Sequence, residues 1–203
     1  MSHNTWIHKA ARATIVRPLL ATSVTPNQLT TVRLVLGLTA AGVVAFGFPA
    51  LTDLAGVLFV LSMMFDRADG DLARLSDRVS RSGHRYDLFA DSICNTSIFI
   101  GLGIGLRQGT YGLWSIGMGV LAGLSVAVVL MMVLRIEASQ GPRAAELDGF
   151  SGIDADDAII AVPLALWFGL AEELLVAAAI GAPMFASFFL WWFRRQVLTA
   201  RSA

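Results

Sequence analysis

Stretches of about twenty mostly apolar residues recur along this chain, and they restrict its fold more than any other feature. A helix needs roughly 20 such residues to cross the hydrocarbon core of a bilayer. Six stretches read as spans, over residues 29–48, 50–73, 85–106, 111–134, 158–170 and 173–193. The fifth is the shortest, carries Pro163 and abuts the sixth through Glu172 and Glu173. The runs are continuous and lack the period-2 alternation of barrel strands, which excludes a transmembrane β-barrel. Composition agrees: 56% of the 203 residues are apolar and 15% are charged. Soluble domains average about 45–50% and about 25%. With a mean hydropathy of +0.67, this is neither a disordered chain nor an ordinary soluble enzyme. The expected fold is all-α, an integral membrane bundle of six transmembrane helices. One domain fills residues 1–203, with a cytoplasmic interfacial segment over 1–28, a six-helix core over 29–193 and a cytoplasmic tail over 194–203.

Fifteen basic residues balance fifteen acidic ones, so the distribution of charge matters more than its sum. With six spans, fourteen of the fifteen basic residues fall on one face and only Arg107 on the other. Excess Lys and Arg mark the cytoplasmic side. Both termini and the loops around residues 74–85 and 135–157 are therefore expected in the cytoplasm, with the bacterial inner membrane as the setting. No cleavable signal peptide is expected, because the first long apolar run starts only near Leu29. Residues 6–20 mix Lys9, Arg12 and Arg17 with Trp6, Ile7, Ile15 and Leu19, a pattern suited to a helix lying in the interface. Thr25-Pro26-Asn27 then breaks the chain. The single cysteine, Cys94, excludes a disulfide framework and a cysteine-rich zinc site. No nucleic-acid partner is expected.

Charged groups at membrane depth cost about 2.5–3.5 kcal/mol each on insertion scales and are functional by default. Asp66 and Asp69 lie near the cytoplasmic end of the second span, and Asp87 and Asp91 near the start of the third. Offsets of three and four residues put each pair on one helix face. Antiparallel helices joined by a short loop bring those faces together as four mutually repelling carboxylates. Two divalent cations match their formal charge. Oxygen-only ligands favour Mg²⁺, Mn²⁺ or Ca²⁺ over zinc, and a two-metal site suits displacement at phosphorus. Gly70 and Ala73 leave room for a ligand against the helix backbone. Arg74 is placed to grip a phosphate, and Gly83 allows a tight turn or a further close approach.

Written out, the segment is Asp66-x2-Asp69-Gly70-x2-Ala73-Arg74-x8-Gly83-x3-Asp87-x3-Asp91. It resembles the signature of the CDP-alcohol phosphotransferases (CDP-alcohol phosphatidyltransferases), with all eight fixed positions at the expected spacing. Thr25-Pro26-Asn27 is also similar to a segment that precedes the first span in this family. The resemblance implies metal-dependent transfer of a substituted phosphate from a CDP-linked donor to an acceptor hydroxyl, with release of CMP, in phospholipid synthesis. It implies that Asp66, Asp69, Asp87 and Asp91 hold two divalent cations, Mg²⁺ or Mn²⁺, and that Asp91 is also the catalytic base. It assigns Asp69, Gly70, Ala73, Arg74 and Gly83 to the CDP donor, and it implies a homodimer. The residues alone leave the choice of base open, since a metal-bound carboxylate is a weakened base.

The expected donor is CDP-diacylglycerol, whose tails stay in the bilayer while the head group meets a site at the cytoplasmic mouth. The acceptor is a small polar alcohol: glycerol 3-phosphate, inositol phosphate, inositol or serine. Transfer of a CDP-linked head group to diacylglycerol is the alternative within the class, and a divalent-cation transporter the alternative outside it. Arg85, Arg135 and Arg194 are candidate acceptor contacts, although arginines at helix ends also serve as interfacial anchors. Arg135 with Glu137 looks like a feature of members that take phosphorylated acceptors. His84 and Cys94 read as a polar bystander and a packing residue, and Asp154, Asp156 and Asp157 as helix-capping groups. Gly101-x3-Gly105 and Gly119-x3-Gly123 permit close helix packing.

Overall fold

The computed structural model describes residues 11–140 and 159–200, and all of its regular structure is helical. Two short helical turns, Arg12–Val16 and Arg17–Leu19, come first. Six helices follow: α1 (Pro26–Ala45), α2 (Pro49–Leu75), α3 (Arg81–Gly105), α4 (Trp114–Gln140), α5 (Ala161–Trp167) and α6 (Ala171–Ala200).

Local chemistry sets the helix starts. Thr25 caps α1 in a reciprocal box: Gln28 N–H donates to Thr25 Oγ1 at 3.4 Å, and Thr25 N–H donates to Gln28 Oε1 at 2.8 Å. Pro26 occupies the first turn, where a missing N–H costs nothing. Thr25-Pro26-Asn27 is thus a helix start, and α1 begins three residues before the expected span. Ser80 caps α3, its Oγ accepting from Gly83 N–H at 3.0 Å. Asp77, at φ +55°, turns the chain after α2, where Arg78 N–H closes on Ala73 O at 2.9 Å.

Helix α3 is the axis of the bundle and packs along both α1 and α4. The glycine pairs allow that approach. A Cβ on Gly101 or Gly105 would collide with the carbonyl oxygens of Ala41 or Val44 in α1, and one on Gly119 with that of Phe99. Both pairs therefore pack within the chain. The core between α1, α2, α3 and the later helices contains Ala40, Phe59, Ile98, Leu102, Val162 and Leu175. Outward-facing Leu38, Val57, Leu121, Leu124 and Phe188 are exposed, as lipid-facing side chains of a bilayer protein are.

Among the described residues, five helices are long and apolar enough to cross a membrane: α1, α2, α3, α4 and α6. The protein is a multi-pass, all-α integral membrane bundle. The expected fifth span does not reach that length. Helix α5 has seven residues, about 10 Å at 1.5 Å per residue against a hydrocarbon core of about 30 Å, and residues 141–158 lie outside the described part. Helices α4 and α6 run parallel: Met132 and Ile136 pack on Phe189 near their ends, and Glu172 at the start of α6 accepts from Thr110 N–H, just before α4, at 2.9 Å. The chain must return between them, and α5 is the described part of that return.

The expected N-terminal helix over 6–20 is described only from residue 11. Ala11 and Val16 are buried against Leu29, Ala68 and Leu72, which seats these turns on the start of α1 and the end of α2.

Candidate active site

The beginning of α1, the end of α2 and the beginning of α3 meet at one end of the bundle, where chain direction brings all four aspartates together. Carboxylate oxygens of Asp66, Asp69 and Asp87 lie within 4.8 Å of one another. Oxygens adjacent around a Mg²⁺ are about 3 Å apart and opposite ones about 4.2 Å, from metal–oxygen distances of about 2.0–2.1 Å. Drawing the three inward from that separation would let them share such an ion. An all-oxygen, all-anionic donor set fits a hard divalent cation and not zinc. Asp91 lies outside this group of three and is the most open of the four, its side chain 42% exposed.

One residue ties three of the four together, and the sequence reading gave it no role. Arg33, on α1, is only 3% exposed. Its Nη1 contacts Asp66 Oδ1 at 2.5 Å and Asp87 Oδ1 at 2.7 Å, and its Nη2 contacts Asp91 Oδ1 at 2.5 Å. Ser62 Oγ donates to the Arg33 carbonyl at 3.0 Å and holds the backbone of α1 to α2 at this level. One helical turn before Arg33, buried Thr30 donates to Asp69 Oδ2 at 2.6 Å. Thr30 and Arg33 share the inner face of α1. The signal for Arg33 was present in the sequence as an ionised residue within an apolar span. Thr30 gave none, because a threonine there reads as an ordinary helix residue.

A cavity of about 160 Å³ opens beside the cluster. Arg33, Asp66, Arg67, Asp87, Asp91 and Asn95 give it a polar wall, and Phe59, Met63, Leu88 and Ile159 an apolar one. Asn95 Nδ2 donates to Asp91 Oδ1 at 3.0 Å from one turn further along α3, and Arg67 Nη1 pairs with Asp66 Oδ2 at 3.1 Å.

The remaining signature residues group around α2. Arg74 is half-exposed and pairs with Asp71 at 2.8 Å. A Cβ on Gly70 would sit 3.5 Å from the Arg74 guanidinium, so the glycine leaves the backbone open beneath that group. Asp71 is buried and was missed, although a carboxylate three residues before an arginine on a helix is a readable pair. At Gly83 a Cβ would meet Ser80 Oγ at 2.9 Å and Asn27 Oδ1 at 3.2 Å. The close approach expected there is made by the start of α1. Arg85, Arg135 and Arg194 are exposed, and none lines the cavity. Arg135 and Arg194 lie on the ends of α4 and α6 that Met132, Ile136 and Phe189 pack together.

Geometry of this kind, with hard anionic ligands at a membrane-spanning mouth beside an amphipathic cavity, suits phosphoryl chemistry on a lipid. Comparison with known proteins decides the assignment. The family model for CDP-alcohol phosphatidyltransferase matches residues 23–193. The chain belongs to the CDP-alcohol phosphatidyltransferase family. That family uses divalent cations, CDP-linked lipid donors and alcohol acceptors in a membrane. Similar proteins include the bifunctional IPC transferase and DIPP synthase of Thermococcus kodakarensis, 40% identical over 79 residues (39% of this chain and 17% of that protein). The protein of the same name from Aquifex aeolicus is 33% identical over 95 residues (47% and 21%). The archaetidylinositol phosphate synthase of Pyrococcus horikoshii is 32% identical over 92 residues (45% and 47%). The matched stretches span less than half the length of each relative.

Proposed function

We propose that this protein moves a phosphatidyl group from CDP-diacylglycerol to the hydroxyl of an inositol phosphate, releasing CMP. The observation that carries the reaction class is the convergence of Asp66, Asp69 and Asp87 beside a cavity with one polar and one apolar wall. The phosphorylated inositol acceptor is supported by the name of the Pyrococcus relative and by Arg135 and Arg194 on adjoining helix ends.

In this reading Asp66, Asp69 and Asp87, with Asp91 at the edge, hold two Mg²⁺ or Mn²⁺ ions. When bound, such cations neutralise the diphosphate and stabilise the departing CMP oxygen. Arg74, over Gly70, pairs with donor phosphate, with Ala73 and Gly83 shaping the nucleotide pocket. Asp91 takes the proton of the acceptor hydroxyl. Its open side chain and its place outside the three-carboxylate group favour it over the others for reaching the acceptor hydroxyl. The acceptor oxygen then bonds to the phosphorus that carries diacylglycerol, and that phosphorus releases CMP with the bond's electron pair. The cavity, the chain termini and the basic loops face the cytoplasm of a bacterial inner membrane, and two copies of this single-domain chain form the homodimer expected from the resemblance.

The test is CMP release by the purified protein from CDP-diacylglycerol with Mg²⁺ or Mn²⁺, against inositol phosphate, glycerol 3-phosphate, inositol and serine. Release that depends on inositol phosphate is the expected result. Release with another acceptor overturns the acceptor assignment alone. Release only from a CDP-linked head group with diacylglycerol reverses the donor polarity.

A further inference from the structure

Arg33 sits among the carboxylates that a shared metal ion would use. Its Nη1 touches one oxygen of Asp66 and one of Asp87, two of the three carboxylates that converge. Guanidinium cannot be neutralised by losing its proton in a protein, and at 3% exposure this one cannot be neutralised by water or salt. The Ser62 bond to its carbonyl fixes the start of the side chain, so the charge cannot leave the bundle by a backbone shift. Four carboxylates within a few ångströms would repel strongly if left uncompensated. A metal binding between Asp66 and Asp87 would have to share those two carboxylates with Nη1.

We propose that Arg33 is a built-in counter-cation that holds the carboxylate cage together in the metal-free protein and competes with divalent metal for Asp66 and Asp87. This rests on the metal-dependent reading above. Two effects of opposite sign follow for the loss of Arg33. The metal-free protein loses stability, since the carboxylates then face one another without their buried partner. Metal affinity rises, since a competitor and an adjacent positive charge are gone. A merely structural ion pair predicts the first effect but not the second: a cage that falls apart binds metal more weakly.

The experiment is Mn²⁺ titration by electron paramagnetic resonance, with thermal unfolding in detergent, on the wild type, Arg33→Gln and Arg33→Lys. Arg33→Gln is expected to melt about 10 °C lower than wild type without metal and to bind Mn²⁺ at least about tenfold tighter. Its melting temperature then rises more on Mn²⁺ addition than the wild type's does. Arg33→Lys keeps the charge, but its compact ammonium cannot fork from Asp66 to Asp91. It shows both effects at smaller size and carries the test if the glutamine variant can be isolated only with metal. Mn²⁺ affinity unchanged or weakened in both variants overturns the proposal while leaving the metal site intact. A wild type that binds no Mn²⁺ overturns the metal reading and this inference with it.

Discussion

At the scale of single residues, the proposed mechanism separates groups that hold charge from the group that moves a proton. Asp91→Asn keeps the shape and removes the basicity. It is expected to lower kcat by about 10²–10⁴-fold, the usual contribution of a positioned general base, while binding of the CDP donor stays near wild type. CMP release and calorimetric donor binding check the two halves, and undiminished turnover would assign the base elsewhere. Gly70→Val tests the nucleotide side. A branched side chain there presses on the Arg74 guanidinium, 3.5 Å from where its Cβ would stand. Losing one charge-assisted phosphate contact is worth about 1.5–3 kcal/mol, so donor affinity falls roughly tenfold to a hundredfold with the melting temperature little changed. The aspartates were legible because carboxylates in apolar spans at offsets of three and four have few structural explanations. Arg33 was legible only as a charge. Assigning its partners needed the packing of α1 against α2 and α3, which no local pattern encodes. Thr30 and Asn95 act through contacts with aspartates that are visible only once the helices are assembled.

At the scale of elements, α1 supplies Thr30 and Arg33 to a site whose signature lies wholly on α2 and α3. Its distance from α3 therefore matters to the chemistry, and that distance is set by small residues. Gly101→Val places a branched side chain against the Ala41 carbonyl, and overpacking of this kind costs about 1–3 kcal/mol. Nothing lies within 4 Å of a Cβ at Gly42. Gly42→Ala, on the same α1 but away from the contact, is expected to be neutral or to gain up to about 1 kcal/mol. Thermal unfolding of the pair in one detergent separates close approach from a general effect of losing a glycine. If both variants melt alike, α1 is not held to α3 in this way. The helices themselves were largely readable from hydropathy, and the observed bounds of α2, α3 and α4 differ from the expected spans by at most about six residues. The fifth span was not readable at the same level. Its apolar run is short, and helix α5 begins beside the cavity, which Ile159 lines. The helix is apolar throughout but only seven residues long, so its sequence reads as a buried core segment as readily as a span.

At the scale of the whole molecule, the site's position at one end of the bundle makes membrane orientation a functional question. Arg12, Arg17, Arg78, Arg81, Arg85, Arg135 and Arg194 are exposed and belong to segments that start or finish at the site end. Arg107, by contrast, lies at the opposite end and is turned inward, donating to the carbonyls of Ala45 and Ile104 at 3.2 and 2.7 Å. Arg33 leaves the tally of loop charges because it is engaged inside the bundle, yet the asymmetry survives without it. Loop arginines set orientation during insertion, so the site end is expected to face the cytoplasm, where a water-soluble acceptor and departing CMP have direct access. Two exposed positions report on this: Val79, between α2 and α3 at the site end, and Leu113, just before α4 at the far end. In a Cys94→Ala background, a membrane-impermeant maleimide added to intact cells should label Leu113→Cys and spare Val79→Cys. Inverted membrane vesicles should give the reverse. Labelling of Val79→Cys from outside would place the carboxylate site on the non-cytoplasmic face. The acceptor would then have to be a molecule available there, even if Asp91, the metal cage and Arg33 act as argued.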